Sequence, residues 1–189
     1  MSRLTEPDDC ALVLVDVQEG FLARLPQGIR DGVAGRIAFL VHGAAFCGIP
    51  VVATVETPAD WGGLPPELAA AIGDAPVIDK VVFGLADDPL AGPAVRGLRR
   101  GTIVLVGMET DVCVAQSALG LLDQGLRVVV VEDAVASPGN HTPGLDRMRR
   151  AGAIPLSTKQ LHYEWMRTVA RSRAFTDAHP GLEPPGVVL

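Results

Sequence analysis

The sequence predicts an α/β fold: three layers built on a doubly wound, mostly parallel six-stranded sheet of order 3-2-1-4-5-6. Three observations carry this. Short apolar runs such as "ALVLVDV" and "TIVLVGM" have no polar alternation, as strands buried on both faces require. Such runs alternate with helical spacing six times along the chain. No linker, repeat or low-complexity segment interrupts the 189 residues, which fit one domain spanning 1–189. Right-handed crossovers leave few topologies, and the expected one opens a crevice beyond the carboxyl ends of strands 1 and 4.

The first strand is "ALVLVDV", residues 11–17. Helical spacing over 29–47 follows, and Gly48 and Pro50 break it before the second strand, "VVATV". "ETPADWGGLPPEL" reads as a long Pro/Gly-rich loop entering a short helix near 67–72. "PVIDKVVF" predicts a weaker third strand, and a helix is expected near 91–100. "TIVLVGM" is the fourth strand, with a helix over 111–124 stopped by Gly125. "RVVVVEDAV" is the fifth strand, 143–150 a helix, "AIPLS" the sixth strand and 159–171 the last helix. From about 176 the tail reads as irregular.

Composition narrows the function. A net charge of −6 without a basic patch argues against a nucleic-acid partner. No apolar run approaches the roughly 20 residues that span a bilayer, so no membrane partner is expected. Cys10, Cys47 and Cys113 are too few for a disulfide framework or a Cys-rich zinc site. An odd cysteine count without a secretory signal points to a reducing, cytoplasmic setting. The histidines, at 42, 141, 162 and 179, lack metal-ligand spacing, so no metal and no cofactor are expected.

Three residues at the carboxyl edge of the sheet are candidates for chemistry. Asp16 interrupts an apolar run, where a carboxylate is costly unless paired; bonding to a nearby loop amide would also account for it. Cys113 begins the helix after strand 4. A buried cysteine is commonly plain packing, but helix N–H groups and a nearby lysine favour a thiolate. Lys80 is one of two lysines in a chain that otherwise uses Arg, the other being Lys159 at the start of the last helix. Asp79 beside Lys80 allows a surface reading of that lysine. Cys10 and Cys47 read as structural.

Together these pieces resemble the isochorismatase-like cysteine hydrolases over nearly the whole chain. The resemblance rests on "LVLVDVQEGF", "VIDKVVF" and above all "GMETDVCVAQSALGLLDQGLRVVVVEDAVAS". "RMRRAGAIPLSTKQLHYEWMR" further resembles the isochorismatase-domain-containing branch. The family implies an Asp-Lys-Cys triad on Asp16, Lys80 and Cys113, and a cis peptide at Met108–Glu109. It implies an oxyanion hole formed near Met108, Glu109 and Cys113, and a homo-oligomer. Gln18, Phe21, Trp61 and Thr110 are candidate pocket residues. Nicotinamidases of this family hold a metal through an Asp and histidines after strand 2, whereas "TVETPADWGG" offers no histidine. True isochorismatases lack the cysteine. Glu56 and Asp111 make the expected pocket unusually acidic.

The implied reaction is hydrolysis of an amide or carbamoyl C–N bond of a small molecule through a Cys113 thioester, with Asp16 taking the thiol proton, protonating the leaving amine and later activating water, and Lys80 holding the Asp16 carboxylate. Two other classes stand beside it: a catalytically silent binding protein on this fold, and a thiol redox sensor, which usually wants a resolving cysteine.

Overall fold

The run Cys10–Val15 forms β1, and all six residues are buried. Alternation splits them: Cys10, Leu12 and Leu14 enter one core, and Ala11, Val13 and Val15 the other. A strand with a core on each face leaves no room for polar alternation. The structure, a computed structural model, describes residues 3–184 and 186–187.

After β1 come α1 (Glu19–Leu22), α2 (Gln27–Cys47), β2 (Val51–Glu56), α3 (Pro58–Trp61), α4 (Pro66–Ile72) and β3 (Val77–Lys80). The chain continues through α5 (Ala91–Gly97), β4 (Thr102–Met108), α6 (Ala115–Asp123), β5 (Arg127–Ala136), α7 (His141–Ala151) and β6 (Ile154–Leu156). It closes with α8 (Thr158–Met166) and α9 (Val169–Ala178). Every ladder is parallel, and the order is β3-β2-β1-β4-β5-β6, as the sequence predicts. α2, α8 and α9 supply Ile37, Leu40, Trp165 and Phe175 to the core on one face. α5, α6 and α7 supply Val95, Ala118, Leu121 and Met148 to the other. No helix of the described residues is long and apolar enough to cross a membrane.

β1 and β4 are neighbours at the switch point, with Val15 in register with Gly107. They approach closely there: a Cβ on Gly107, whose φ is 120°, would lie 2.0 Å from the Val15 carbonyl oxygen. Only glycine fits both the space and the dihedral.

Several boundaries differ from expectation. The third strand stops at Lys80 instead of running on to Phe83, and the loop after β2 contains α3. The single last helix expected over 159–171 is two helices, because Arg167 takes a left-handed φ of 64°. Thr168 then caps α9, its hydroxyl accepting from the Arg171 N–H at 3.2 Å. α9 runs to Ala178, so the irregular tail begins later than 176. Of the apolar tail "GVVL", Val187 is buried, while 188–189 lie outside the described residues.

Candidate active site

Asp16 is the first residue past β1 and has a left-handed φ of 50°. Its N–H donates to the Thr54 carbonyl at 3.1 Å, and the Thr54 hydroxyl donates to Asp16 Oδ1 at 2.8 Å. Lys80 ends β3, in register with Glu56 at the end of β2. Its stem spans β2, and Nζ lies 2.6 Å from Asp16 Oδ2, with both side chains 0% exposed. Nζ also donates to the Val82 carbonyl at 3.0 Å. Oδ2 sits at ion-pair distance without a well-directed hydrogen bond, so the contact is chiefly charge on charge. Burial pushes the Asp16 carboxyl up, against the pull of the Lys80 ammonium. Lys159, by contrast, is exposed.

Cys113 stands inside a π-helical turn, Thr110–Val114, that precedes α6. The Val114 N–H reaches back to the Glu109 carbonyl at 3.1 Å. Single π turns recur at functional sites. Cys113 is 3% exposed. The expectation of a thiolate does not hold: burial pushes the thiol strongly up, and the nearby Asp16 charge adds to this, while Lys80 opposes it. The helix N–H contribution is outweighed because Cys113 is not the first residue of a regular α-helix and faces two carboxyls. The Met108–Glu109 peptide is cis.

The turn is held from outside. Thr110 Oγ1 lies 2.9 Å from His141 Nδ1 on α7. Ser137 donates its hydroxyl proton to the Asp111 carboxylate in a short hydrogen bond. At Gly144 a Cβ would lie 2.8 Å from Asp111 Cα, so α7 packs directly on the turn's backbone. Thr110 is therefore engaged with a neighbour, as is Gln18. The Gln18 amide donates to the Glu56 and Gly62 carbonyls at 2.9 and 2.7 Å and accepts from the Glu56 N–H at 2.6 Å. Gln18 positions β2 and the loop behind it, and its polar atoms are spent there. Phe21 and Trp61 stack on each other with ring centroids 4.8 Å apart. Arg24 lies over Trp61 and pairs with Glu109 at 2.9 Å.

Glu56 completes the group. Its Oε2 lies 3.9 Å from Cys113 Sγ. One donor atom each from Asp16, Glu56 and Cys113 falls within 4.8 Å of the others, the spacing a metal ion would need. The Lys80 ammonium already holds the Asp16 carboxylate in that space. Sequence spacing places Glu56 in the pocket but not against the sulfur; Thr54 and His141 carry no signal of their roles, because their partners lie 38 and 31 residues away.

The sequence pattern of the Isochorismatase domain matches residues 10–160. The chain belongs to the isochorismatase family. Among its relatives, the secreted isochorismatase effector Isc1 of Phytophthora sojae is 30% identical over 171 residues, covering 84% of this chain and 77% of its own. Among solved structures, Escherichia coli YcaC, an octameric hydrolase of unknown specificity, superposes with a TM-score of 0.82 at 26% identity, covering 95% of this chain and 92% of that one. Pseudomonas aeruginosa YcaC, solved with hexane-2,5-diol and covalent acrylamide, gives 0.81 at 26%, covering 95% and 93%. This isochorismatase-family chain thus shares its six-stranded sheet with hydrolases of the family.

Proposed function

We propose that this protein is a cysteine hydrolase that cleaves an amide or carbamoyl C–N bond of a small molecule through a Cys113 thioester. The observation that carries the reading is the sealed Lys80–Asp16 ion pair within reach of the Cys113 thiol. A buried pair of this kind is poor value as a stabilising device, and its placement against a thiol gives it chemical use. Asp16 takes the thiol proton as Sγ attacks the carbonyl carbon, so no resting thiolate is needed. Lys80 favours the ionised form of Asp16 against the push of burial, so that the carboxylate can accept. Backbone N–H groups near Met108, Glu109 and Cys113 receive the oxyanion, an interaction worth about 3–4 kcal/mol.

The covalent acrylamide on Pseudomonas aeruginosa YcaC supports a nucleophile in this fold that attacks small electrophiles. The octameric Escherichia coli relative supports a homo-oligomer; so do exposed Val77, Val81 and Phe83 on and beyond β3, an edge strand of the sheet. The loop after β2 offers no imidazole, which separates this reading from nicotinamidase, and Cys113 separates it from true isochorismatase. The reaction needs a reduced thiol, in keeping with the expected cytoplasmic setting. A redox-sensor role lacks a resolving thiol near Cys113: Cys10 opens β1 and Cys47 ends α2 just before β2, while the site lies past the other ends of these strands, about 20 Å away at about 3.3 Å per residue.

The test is a screen of small amides, ureido and carbamoyl compounds for amine or ammonia release, with Cys113→Ala as the blank. Turnover by wild type that the variant lacks is the expected result. Equal turnover by the variant removes Cys113 from the chemistry.

A further inference from the structure

We infer that Glu56 is a second catalytic residue, dividing the proton work with Asp16: Asp16 serves the sulfur, and Glu56 serves the leaving nitrogen and the attacking water. The inference rests on the cysteine-hydrolase reading and deepens it.

The site holds two carboxyls in different surroundings. Asp16 is ion-paired to Lys80 and bonded to Thr54. Glu56 pairs with no cation among the described residues. Its main chain is clamped at both N–H and carbonyl by the Gln18 amide. The side chain is therefore aimed from a fixed base, with Oε2 3.9 Å from Sγ. Lys80 Nζ is committed to Asp16 and the Val82 carbonyl. Burial pushes the Glu56 carboxyl up, Lys80 pulls it back, Asp16 pushes it up further, the Cys113 thiol lowers it by donating to Oε2, and Glu109 adds a small upward push. Two neighbouring carboxyls held in unlike environments separate into a base and an acid.

The proton inventory closes. In the proposed cycle Asp16, paired with the Lys80 ammonium, starts as the carboxylate, Glu56, without a paired cation, starts with the proton, and Cys113 starts as a thiol. Asp16 takes the thiol proton as the S–C bond forms. When the C–N bond breaks, its electron pair stays on nitrogen, which takes the Glu56 proton. The enzyme is then a thioester with Asp16 protonated and Glu56 ionised. Glu56 next removes a proton from water as its oxygen bonds to the thioester carbon. The C–S bond breaks with its pair on sulfur, which recovers the Asp16 proton. The acid and amine leave, and the resting state returns. Each carboxyl thus moves one proton out and one back, and the proton a poor amine leaving group needs is already in place.

The probe is p-nitrophenyl acetate, whose p-nitrophenolate leaves without a proton, so that Glu56 passes its proton to bulk water before it serves as base in deacylation; hydroxylamine is an added acyl acceptor. Wild type is expected to give a p-nitrophenolate burst and then steady turnover. Glu56→Gln should keep the burst rate but slow deacylation to water and to hydroxylamine by about 100-fold or more, so that acetyl-Cys113 accumulates in intact-protein mass spectra. Glu56→Asp, which retains a carboxyl one methylene back, should recover part of the deacylation rate. Asp16→Asn should lose the burst itself. Wild-type deacylation in Glu56→Gln overturns the role for Glu56 alone. Loss of burst and deacylation together in Glu56→Gln makes it a structural residue and equally overturns the inference. Absence of acetyl-Cys113 in wild type overturns the cysteine-hydrolase reading beneath it.

Discussion

Cys113 carries its proton at neutral pH because burial and the Asp16 charge both oppose a thiolate. Its reactivity therefore depends on a base within reach, and among the three cysteines only Cys113 has one. Cys10 is buried with its thiol pushed up to about 12, and among the described residues its thiol donates to the Pro7 carbonyl at 3.9 Å. Cys47 is half-buried against the Trp165 carbonyl, its thiol raised by burial and drawn back by the nearby Arg171, with no carboxylate base beside it among the described residues. Limiting iodoacetamide should thus modify Cys113 first, at a rate that climbs through the alkaline range without a plateau near neutrality. Peptide mapping that finds Cys47 or Cys10 alkylated first would reject the nucleophile assignment. The two lysines make a second comparison. Lys80 is sealed against Asp16 and Lys159 is exposed at the start of α8. Lys80→Arg brings a wider planar fork into a space filled by a compact ammonium. A misplacement of about 1 Å can cost on the order of 100-fold in rate. Turnover should collapse in Lys80→Arg and stay near wild type in Lys159→Arg; wild-type turnover in both would make Lys80 a packing charge.

At the scale of elements, β1, β4 and β5 are legible in the sequence because strands buried on both faces leave an unbroken apolar signature, and their order follows from crossover rules. Asp16, Lys80 and Cys113 are legible as a set through the resemblance, since each stands in a quoted motif. The π turn is not legible: "TDVCV" suits an α-helix equally well, and its wider form accompanies packing by α7, an element that follows β5 in the chain. Nor is the break at Arg167, where "LHYEWMR" keeps helical spacing up to the residue that turns left-handed; only Thr168, a capping residue, marks the restart. Glu56 is visible as an acidic residue, but its place against Sγ depends on a contact 57 residues apart in the chain. The packing of α7 on the turn is open to test at Gly144. A methyl there would meet Asp111 backbone atoms at 2.8 and 2.9 Å, and backbone cannot step aside as a side-chain end can. Gly144→Ala should cost about 1–3 kcal/mol by overpacking, seen as a lower melting temperature. It should also shift the Cys113 turn, lowering turnover in the fraction still folded. Unchanged melting and turnover would mean that α7 does not brace the turn.

For the molecule as a whole, acid stability is set in part far from the site, in the core where α2, α8 and α9 meet. His162 on α8 is 1% exposed. Its ring lies 5.2 Å from Phe39 and 5.1 Å from Phe175, centroid to centroid. Nε2 is 3.2 Å from the Ser172 hydroxyl, and Nδ1 has no hydrogen-bond partner among the described residues. An apolar cage with one hydroxyl favours the neutral imidazole, and burial lowers the pKa from 6.5 to about 4. The sign follows from proton counts. Between pH 6.5 and about 4 the unfolded chain binds a proton at His162 and the folded chain does not. Stability is therefore full above 6.5 and is lost as the pH falls toward 4, by on the order of 3 kcal/mol. His42 and His141, also lowered by burial, act in the same direction. Asp16 and Glu56, raised by burial, act in the opposite one. A difference between two proteins isolates His162 from all four. Melting temperatures of wild type and His162→Gln, measured across pH 4 to 7, should fall together toward acid but with a shallower slope in the variant. Gln keeps a polar group for Ser172 and cannot titrate, so any constant offset reflects packing and the slope reports the proton. Parallel curves would show that His162 gains its proton as readily in the folded chain as in the unfolded one.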